Sequence, residues 1–431
     1  MDILMSFCNV NVPGYPALAV VDTNTFECRI PQLPQLDTPR SLSITGLAAC
    51  EQHIYAAVQE PATGVSRLLV LDRIQLRLRN YYLFRLGRSV HSLLFTEGRL
   101  YAVSTGTDEV LEMEMRGWEV ASESVFWRPE PDAPRQDRHH LNAICRWRGE
   151  LLVACFGKKP SELWNSTRDG FVFSLTRNER IASGILHPHS LLVTSDSVAY
   201  CESGRMALRI LGGSSVEQLP GYTRGLCHVG DQLFVGTSVG RLISKSTGLI
   251  NNPSTRGIRT GRCTVCRVSA GDLKVEEVVD LTRYGQEIYD LLPLERSNQW
   301  RFVVNDQDDG RRQSIAIHEL TTMVSPSESF ILVDHEVLRP QLAGQYRAIP
   351  FLEREDRYWG PPADDKTALS ELERLRQNGA KQIVFAWPAF WWLEYYPEFC
   401  SHLRSRFRCV VSNEHFIAFD LETAAVSSSE A

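Results

Sequence analysis

A short phrase that recurs along the chain constrains the fold more than any other feature of the sequence. Each copy contains an apolar strand, a tight polar turn and a second strand rich in Leu, Tyr, Phe, Val and Ala. The first four copies begin roughly 50 residues apart, close to the ~40–50 residue period of a β-propeller blade. The copies begin, in chain order, at Thr45, His91, Asn142, His189, Arg224 and, most weakly, Tyr289.

The repeat predicts an all-β propeller whose blades each contain four strands, because two further strand-like runs follow the phrase. Residues 3–30 lack an inner strand and resemble only the second, third and fourth strands of a blade. A partial blade of this kind closes the ring by pairing with an inner strand from the far end of the propeller. Six or seven blades are both consistent with the sequence. Counting the partial blade separately gives seven, which we favour, whereas six result if the copy at Tyr289 supplies the closing strand.

Composition indicates a soluble, packed protein without a nucleic-acid or membrane partner. The 431 residues are 43% hydrophobic and 23% charged, with a formal net charge of −6. Such slight acidity argues against nucleic acid as a bulk partner. The chain has neither an apolar run of the ~18 residues that a membrane span needs nor a signal-peptide pattern. Most of the eleven cysteines lie in apolar strands, where a thiol behaves as a small hydrophobe. We therefore expect a cytoplasmic protein.

The repeat pattern ends near Pro340, and the remaining sequence is typical of a small α/β domain. Residues 364–379 have apolar positions at helical spacing, an acidic start and an Asn-Gly stop. A strand, a second helix and a hairpin follow. We predict a propeller over residues 1–339, an α/β domain over 340–421 and a disordered tail over 422–431.

Two resemblances agree with this organisation. The His-Ser-Leu-Leu and Leu-Tyr-Ala-Val phrases over residues 3–335 resemble an uncharacterised bacterial family of propeller proteins of unknown function. The segment from Ala348 to Leu421 is similar to a small domain that is attached to bacterial glycosyltransferases. These resemblances imply a fold and a setting in glycan or metabolite biosynthesis, and neither supplies a known active site.

Propeller geometry collects the variable phrase starts at one mouth of the central channel. Two long basic loops, residues 157–168 and 238–262, are expected at the same face, where binding residues usually lie. His91, His189 and Arg224 are the candidate catalytic residues. The candidate ligand-binding residues are Thr45, Asn142, His140, Tyr289, Lys158, Lys159 and Trp164.

These residue types favour an anion as the ligand. Imidazoles can transfer protons, act as nucleophiles, bind a metal ion or simply hydrogen-bond in a water-filled channel. A guanidinium group such as that of Arg224 repels a metal cation but forms bidentate hydrogen bonds to carboxylate, sulfate or phosphate. We therefore predict no cofactor, and a divalent metal bound by the histidines is the weaker alternative.

The combination of His, Arg, Asn and Thr in a propeller channel resembles that of bacterial arylsulfate sulfotransferases, although the surrounding sequence differs. This resemblance implies that His91 or His189 is a nucleophile and that Arg224 stabilises developing charge. The resulting hypothesis is a pocket that binds, and transforms by group transfer or elimination, a small anionic or sugar-bearing metabolite. The alternative hypothesis is a non-catalytic scaffold that holds a partner enzyme.

Overall fold

The computed structural model describes residues 1–8, 15–33, 43–60, 63–213, 215–216, 218–240, 261–303 and 309–424. The chain forms two compact units, the first made mainly of residues up to Asn305 and the second beginning at Asp306. All eleven cysteines are free thiols. Within the described ranges, no helix has the length and apolar character that a bilayer crossing requires.

The first unit is a propeller of six four-stranded antiparallel sheets. Three strands at the start of the chain belong to the last blade: β1 (Asp2–Phe7), β2 (Leu18–Asp22) and β3 (Cys28–Arg29). Blade 1 contains β4 (Ser43–Ala49), β5 (His53–Gln59), β6 (Val65–Asp72) and β7 (Leu78–Arg88). Blade 2 contains β8 (Val90–Thr96), β9 (Arg99–Ser104), β10 (Glu109–Arg116) and β11 (Glu119–Trp127).

The next three blades follow the same order along the chain. Blade 3 contains β12 (Leu141–Trp147), β13 (Glu150–Cys155), β14 (Gly170–Ser174) and β15 (Glu179–Ile185). Blade 4 contains β16 (Pro188–Val193), β17 (Val198–Glu202), β18 (Ala207–Ile210) and β19 (Ser215–Val216). Blade 5 contains β20 (Tyr222–Val229), β21 (Gln232–Ser238), β22 (Thr264–Ser269) and β23 (Val275–Asp280).

Blade 6 joins the two ends of the propeller, and it explains the number of blades. Its inner strand, β24 (Ile288–Leu294), pairs with β1, so that Asp2 lies opposite Leu294. The backbone N–H of Leu47 donates to the Asp290 carboxylate over 2.8 Å, which ties blade 1 to blade 6. The copy of the phrase at Tyr289 therefore supplies the inner strand that the N-terminal strands lack. The propeller has six blades, not the favoured seven, because the two partial segments form one sheet.

Each of the six inner strands contains a β-bulge at the phrase start or directly after it. The pairing with the second strand skips Thr45 and Gly46 in blade 1, and it skips Tyr289 in blade 6. The corresponding irregularities in blades 2 to 5 lie at His91, Asn142, Ser190 and Arg224–Gly225. A bulge bends the strand and redirects a side chain. The phrase therefore marks a structural device that every blade repeats.

The second unit is a five-stranded mixed sheet with helices on both faces. Its strand order is β26-β25-β29-β31-β30, with β25 parallel to both of its neighbours and β31 antiparallel to β29. The strands are β25 (Ser329–Val333), β26 (Arg347–Pro350), the short pair β27 (Glu353–Arg354) and β28 (Arg357–Tyr358), β29 (Ala380–Ala386), β30 (Phe407–Ser412) and β31 (Phe416–Ala424). The helices are α1 (Asp309–Met323), α2 (Arg339–Leu342), α3 (Asp365–Gln377), α4 (Trp392–Tyr395) and α5 (Pro397–Arg406).

This α/β unit begins earlier than the predicted start at residue 340. Strand β25 belongs to its sheet, and helix α1 packs on that sheet through Ala316 and Leu320. The sequence of β25, Phe-Ile-Leu-Val, does not indicate that the propeller has ended. A strand buried on both faces has the same apolar run in a propeller blade and in a parallel sheet. Strand β31 extends to Ala424, into the segment expected to be a tail. Residues 425–431 lie outside the described ranges.

We expect Gly46→Ala to destabilise the propeller by about 1–3 kcal/mol, because a Cβ atom there overpacks the ring. That atom would lie 2.7 Å from the Cα of Ser92 and 2.8 Å from the backbone N of Leu93 on the next inner strand. Gly271→Ala is the matched control, since its Cβ would meet no atom closer than 4.0 Å. Urea unfolding of both variants measures the difference. Equal stability of the two variants would contradict close packing of the inner strands at this position.

Candidate functional site

The six phrase-start residues, which we call the inner ring, surround the propeller axis. Consecutive inner strands contact one another around the whole circle, and β24 contacts β4. Within the inner ring, Thr45, Asn142 and His189 are almost completely buried, at 0%, 3% and 2% exposure. Polar groups with so little access to water need hydrogen-bond partners or a ligand.

Aromatic and imidazole side chains form a closed circuit at the inner ring. The His91 ring lies 5.3 Å from that of His140 and 5.5 Å from that of Tyr289. The circuit continues from His140 to Phe156 (4.5 Å), from Phe156 to His189 (5.2 Å) and from His189 to Tyr222 (5.4 Å). The Arg224 guanidinium closes it, 4.9 Å from the centre of the Tyr222 ring and 5.1 Å from that of Tyr289.

Hydrogen bonding fixes the tautomer of His189. The hydroxyl of Ser203 donates to the Thr223 carbonyl over 2.5 Å, so it accepts from Nδ1 of His189 over 2.8 Å. Nδ1 also lies 3.0 Å from the carbonyl of His187. The ring hydrogen is therefore on Nδ1, and Nε2 has a free lone pair.

His187 joins this site although it is not a phrase-start residue. Its ring stacks on Phe156 at 4.8 Å with an interplanar angle of 16°. His140 and His187 directly precede β12 and β16, and both have left-handed backbones, with φ of 54° and 52°. Ser89 occupies the same position before β8 with φ of 48°. A polar residue two positions before the phrase start is the sequence signal for this second set.

Burial keeps two of these imidazoles neutral. Burial, followed by the nearby His140, Arg168 and Arg224, lowers the pKa of His187 to about 4. Burial also lowers the pKa of His189 well below its ordinary value, with Arg224 as the next cause. The hydrogen bond to the His187 carbonyl opposes that shift only in part. Both rings are therefore hydrogen-bond acceptors through one nitrogen at neutral pH.

Arg224 is the cation of the inner ring. Its guanidinium lies 3.6 Å from the Glu287 carboxylate, a distance longer than a direct hydrogen bond, and both side chains are mostly buried. Tyr222 and Tyr289 hold the guanidinium between their rings. This support fixes the direction of the guanidinium and leaves its charge only loosely paired.

Three buried polar atoms near the inner ring have no hydrogen-bond partner among the residues that the structure describes. They are Nδ2 of Asn142, Nε2 of His187 and Nε of Arg224. Leaving such a group unpaired costs about 1–3 kcal/mol. Atoms of this kind therefore indicate a place where water or a ligand binds.

The structure separates the other predicted residues into structural and peripheral groups. The Thr45 hydroxyl donates to the Val90 carbonyl over 2.6 Å, which links two blades and leaves the group buried. Lys158 is exposed and pairs with Glu130 at 2.7 Å. Lys159 lies 5.0 Å from the centre of the Trp164 ring, and that ring lies 4.6 Å from His140. Trp164 thus extends the aromatic circuit outward.

The second basic loop, residues 238–262, is described only at its two ends. Residues 241–260, most of that loop, lie outside the described ranges. Over the described residues, no group of three or more His, Cys, Asp or Glu side chains is placed to hold a metal ion. The nearest imidazole pair in the circuit, His91 and His140, is in edge-to-face contact, with an interplanar angle of 76°.

The fold and the site define a six-bladed propeller with a buried polar and aromatic cluster at the starts of its inner strands. The chain belongs to the family described as Domain of unknown function (DUF4915), whose model matches residues 64–300, more than half of the sequence. No curated protein is significantly similar in sequence.

Several solved structures are similar to this chain. A protein of unknown function from Bacteroides caccae has 13% identity and a TM-score of 0.46, with 68% of this chain and 99% of that chain covered. A chain of a nidogen/laminin complex has 11% identity and a TM-score of 0.45, with 68% and 97% covered. A putative 6-phosphogluconolactonase from Bacteroides fragilis NCTC 9343 has 12% identity and a TM-score of 0.40, with 70% and 98% covered.

We expect His189 to carry its hydrogen on Nδ1 and to remain neutral between about pH 8 and pH 6, where a histidine of ordinary pKa would titrate. Nitrogen-15 NMR of the imidazole groups reports both properties, and the spectrum of His189→Gln identifies the signal. A titration midpoint near the ordinary value, or a hydrogen on Nε2, would contradict the hydrogen-bond arrangement with Ser203.

Proposed function

We propose that the inner ring binds a small organic anion that carries hydroxyl groups, such as a sugar acid or a sugar phosphate. The observation that carries this proposal is the set of buried atoms without a partner among the described residues, which includes an amide donor on Asn142 and a ring nitrogen of His187. A ligand with both acceptor and donor groups would satisfy them together.

Arg224 and Asn142 are the side chains that would bind the anionic group of the ligand. A guanidinium group forms short, charge-assisted hydrogen bonds to carboxylate and phosphate oxygens. The carboxylate of Glu287 lies 3.6 Å from the guanidinium group, so it offsets the charge from beyond hydrogen-bond distance. The Asn142 amide adds a neutral donor that is buried to 97%, since only 3% of the residue is exposed.

The neutral imidazole rings are the reason to expect hydroxyl groups on the ligand. His187 and His189 have lowered pKa values because they are buried near Arg224. A neutral ring with its hydrogen on one nitrogen accepts a hydrogen bond at the other, and a ligand hydroxyl is a suitable donor. The rings of Phe156, Tyr222 and Tyr289 supply flat apolar surfaces beside these groups.

Binding is better supported than acid–base catalysis by these histidines. A general base works best when its pKa lies near the operating pH, and the pKa of His187 is lowered to about 4. His189 retains a free lone pair on Nε2, so group transfer to that atom, with Arg224 stabilising the charge, stays a prediction. Ligand recognition requires no further chemical step.

The alternative function is a scaffold for a partner protein, and an exposed apolar patch on blades 1 and 2 favours it. Tyr81 and Leu83 on β7 are 65% and 51% exposed, and Trp118 before β11 is 50% exposed. The side-chain amide of Asn80 donates to the Trp118 carbonyl over 3.2 Å, which places these segments together. Contiguous exposed apolar surface often marks a protein interface.

The ligand proposal predicts that glucuronate stabilises the full chain against heat, because it has both a carboxylate and hydroxyl groups. Glucose has the hydroxyl groups alone, and cyclohexanecarboxylate has the carboxylate alone, so both should give smaller shifts in Tm. Glucose 1-phosphate tests a phosphate in place of the carboxylate. Differential scanning fluorimetry followed by calorimetric titration measures these differences.

Arg224→Ala should weaken binding of the stabilising anion by at least about tenfold, since a charged hydrogen bond contributes ~1.5–3 kcal/mol. Arg116→Ala is the matched control, because that side chain is 73% exposed and pairs only at the surface with Glu114. The proposal is wrong if neither anion binds, or if Arg224→Ala folds normally and binds as tightly as the control. Failure of all four probes would leave the scaffold as the better explanation.

A further inference from the structure

The sheet of the α/β unit has a switch point between β25 and β29, where the chain turns to opposite faces after two neighbouring parallel strands. The chain leaves β25 to form β26 on one side, and it later returns to form β29 on the other side. Helix α2, after β25, packs on one face through Leu338 and Leu342, whereas α4 and α5, after β29, pack on the opposite face. Ligands of open α/β sheets bind outside the carboxyl ends of the strands at such a switch point.

The turn after β25 is held in an unusual backbone conformation at this position. His335 and Glu336 are consecutive non-glycine residues with left-handed backbones, at φ of 55° and 64°. The Asp334 carboxylate supports the turn by accepting from the backbone N–H groups of Leu338 (2.7 Å) and Arg339 (2.8 Å). Conformations of this type cost about 1–3 kcal/mol each and are concentrated at functional sites.

The turn places His335 among aromatic side chains that fix its tautomer. Its Nε2 accepts from the indole N–H groups of Trp391 (3.2 Å) and Trp392 (3.3 Å). Nδ1 therefore carries the hydrogen and donates to the Tyr358 hydroxyl over 2.7 Å. Burial, followed by the nearby Asp334, raises the pKa of Tyr358 to about 12. The Tyr358 hydroxyl thus keeps its own hydrogen, which is available to an acceptor.

Four aromatic side chains in and next to α4 form one buried pair and one exposed pair. Trp392 and Tyr396 are 0% and 2% exposed and belong to the core of this unit. Trp391 and Tyr395 are 42% and 66% exposed, and their rings meet edge to face at 5.6 Å. Trp391 is also parallel to the His335 ring, at 5.8 Å between centres. The exposed pair therefore has a fixed orientation, which core packing alone would not require.

Three charged side chains of the turn after β25 already have partners. The Asp334 carboxylate is occupied by backbone N–H groups. Glu336 and Arg339 form a bidentate pair with distances of 2.7 Å and 2.9 Å. The surface therefore offers flat rings, a hydroxyl donor and the exposed carboxylate of Glu394 between Trp391 and Tyr395, which favours a ligand with hydroxyl groups over an anion.

We propose that this surface is a saccharide-binding site in which a neutral sugar ring stacks on Trp391 and Tyr395. The apolar C–H face of a pyranose ring matches the electron-rich face of an indole or phenol ring. A sugar oxygen accepts the hydrogen of the Tyr358 hydroxyl, and the Asp334–Glu336 turn holds His335, whose Nε2 accepts from the Trp391 indole N–H. This site lies wholly within the α/β unit and does not depend on the inner ring of the propeller.

The test is saturation-transfer NMR and tryptophan fluorescence titration of the full chain with three probes. These are methyl β-D-glucopyranoside, methyl β-D-galactopyranoside and di-N-acetylchitobiose, each at millimolar concentration. We expect at least one to bind with its C–H face in contact with the protein. Trp391→Ala should weaken that binding by about tenfold, the equivalent of ~1.4 kcal/mol. Tyr358→Phe should weaken it less, because only one hydrogen bond is lost.

Phe126→Ala is the matched control, since it removes a comparably exposed aromatic side chain, 45% against 42% for Trp391, from the propeller. Arg224→Ala should also leave saccharide binding unchanged, which separates this site from the inner ring. The proposal is overturned if none of the three saccharides binds, or if Trp391→Ala folds normally and binds as the control does. It is also overturned if adenosine, a flat aromatic competitor, binds in preference to every saccharide.

Discussion

The β-bulge at the start of each inner strand is the constraint on which the propeller site depends. It repeats in all six blades and redirects side chains that regular pairing would hold in the sheet. The backbone is shared, whereas the side chains range from Thr45 to Arg224. Close approach of the strands next to the bulge leaves room only for a small residue at Gly46. One backbone device therefore supplies both a tight ring and six variable positions.

Much of this arrangement could be predicted from the sequence because repetition identifies equivalent positions. The phrase correctly predicted the propeller. Its copies begin where the bulges lie, but the sequence did not predict the bulges themselves. The blade count could not be obtained, because the copy at Tyr289 is weak and its partner strands lie at the other end of the chain. Phe156 was missed since its role depends on stacking. Thr45 has the right position, but its hydroxyl is used between two blades.

Burial has opposite consequences for the two kinds of group at the inner ring. It lowers the pKa values of His187 and His189, so their rings are neutral. Arg224 keeps its charge because a guanidinium cannot lose its proton in a protein. The result is one fixed cation beside neutral acceptors, an arrangement suited to recognising an anion with hydroxyl groups. The histidines in the sequence do not distinguish an anion-binding site from an acid–base site, whereas their burial and hydrogen bonds in the structure do.

A high-resolution crystal structure of the protein purified from its native cells would test the ligand-binding role of the inner ring most directly. We predict non-protein density within about 2.7–3.2 Å of Asn142 Nδ2 and His187 Nε2, with a carboxylate or phosphate group facing Arg224. Density that is absent, with these three side chains hydrogen-bonded to other residues of the chain, would contradict a ligand site at the inner ring.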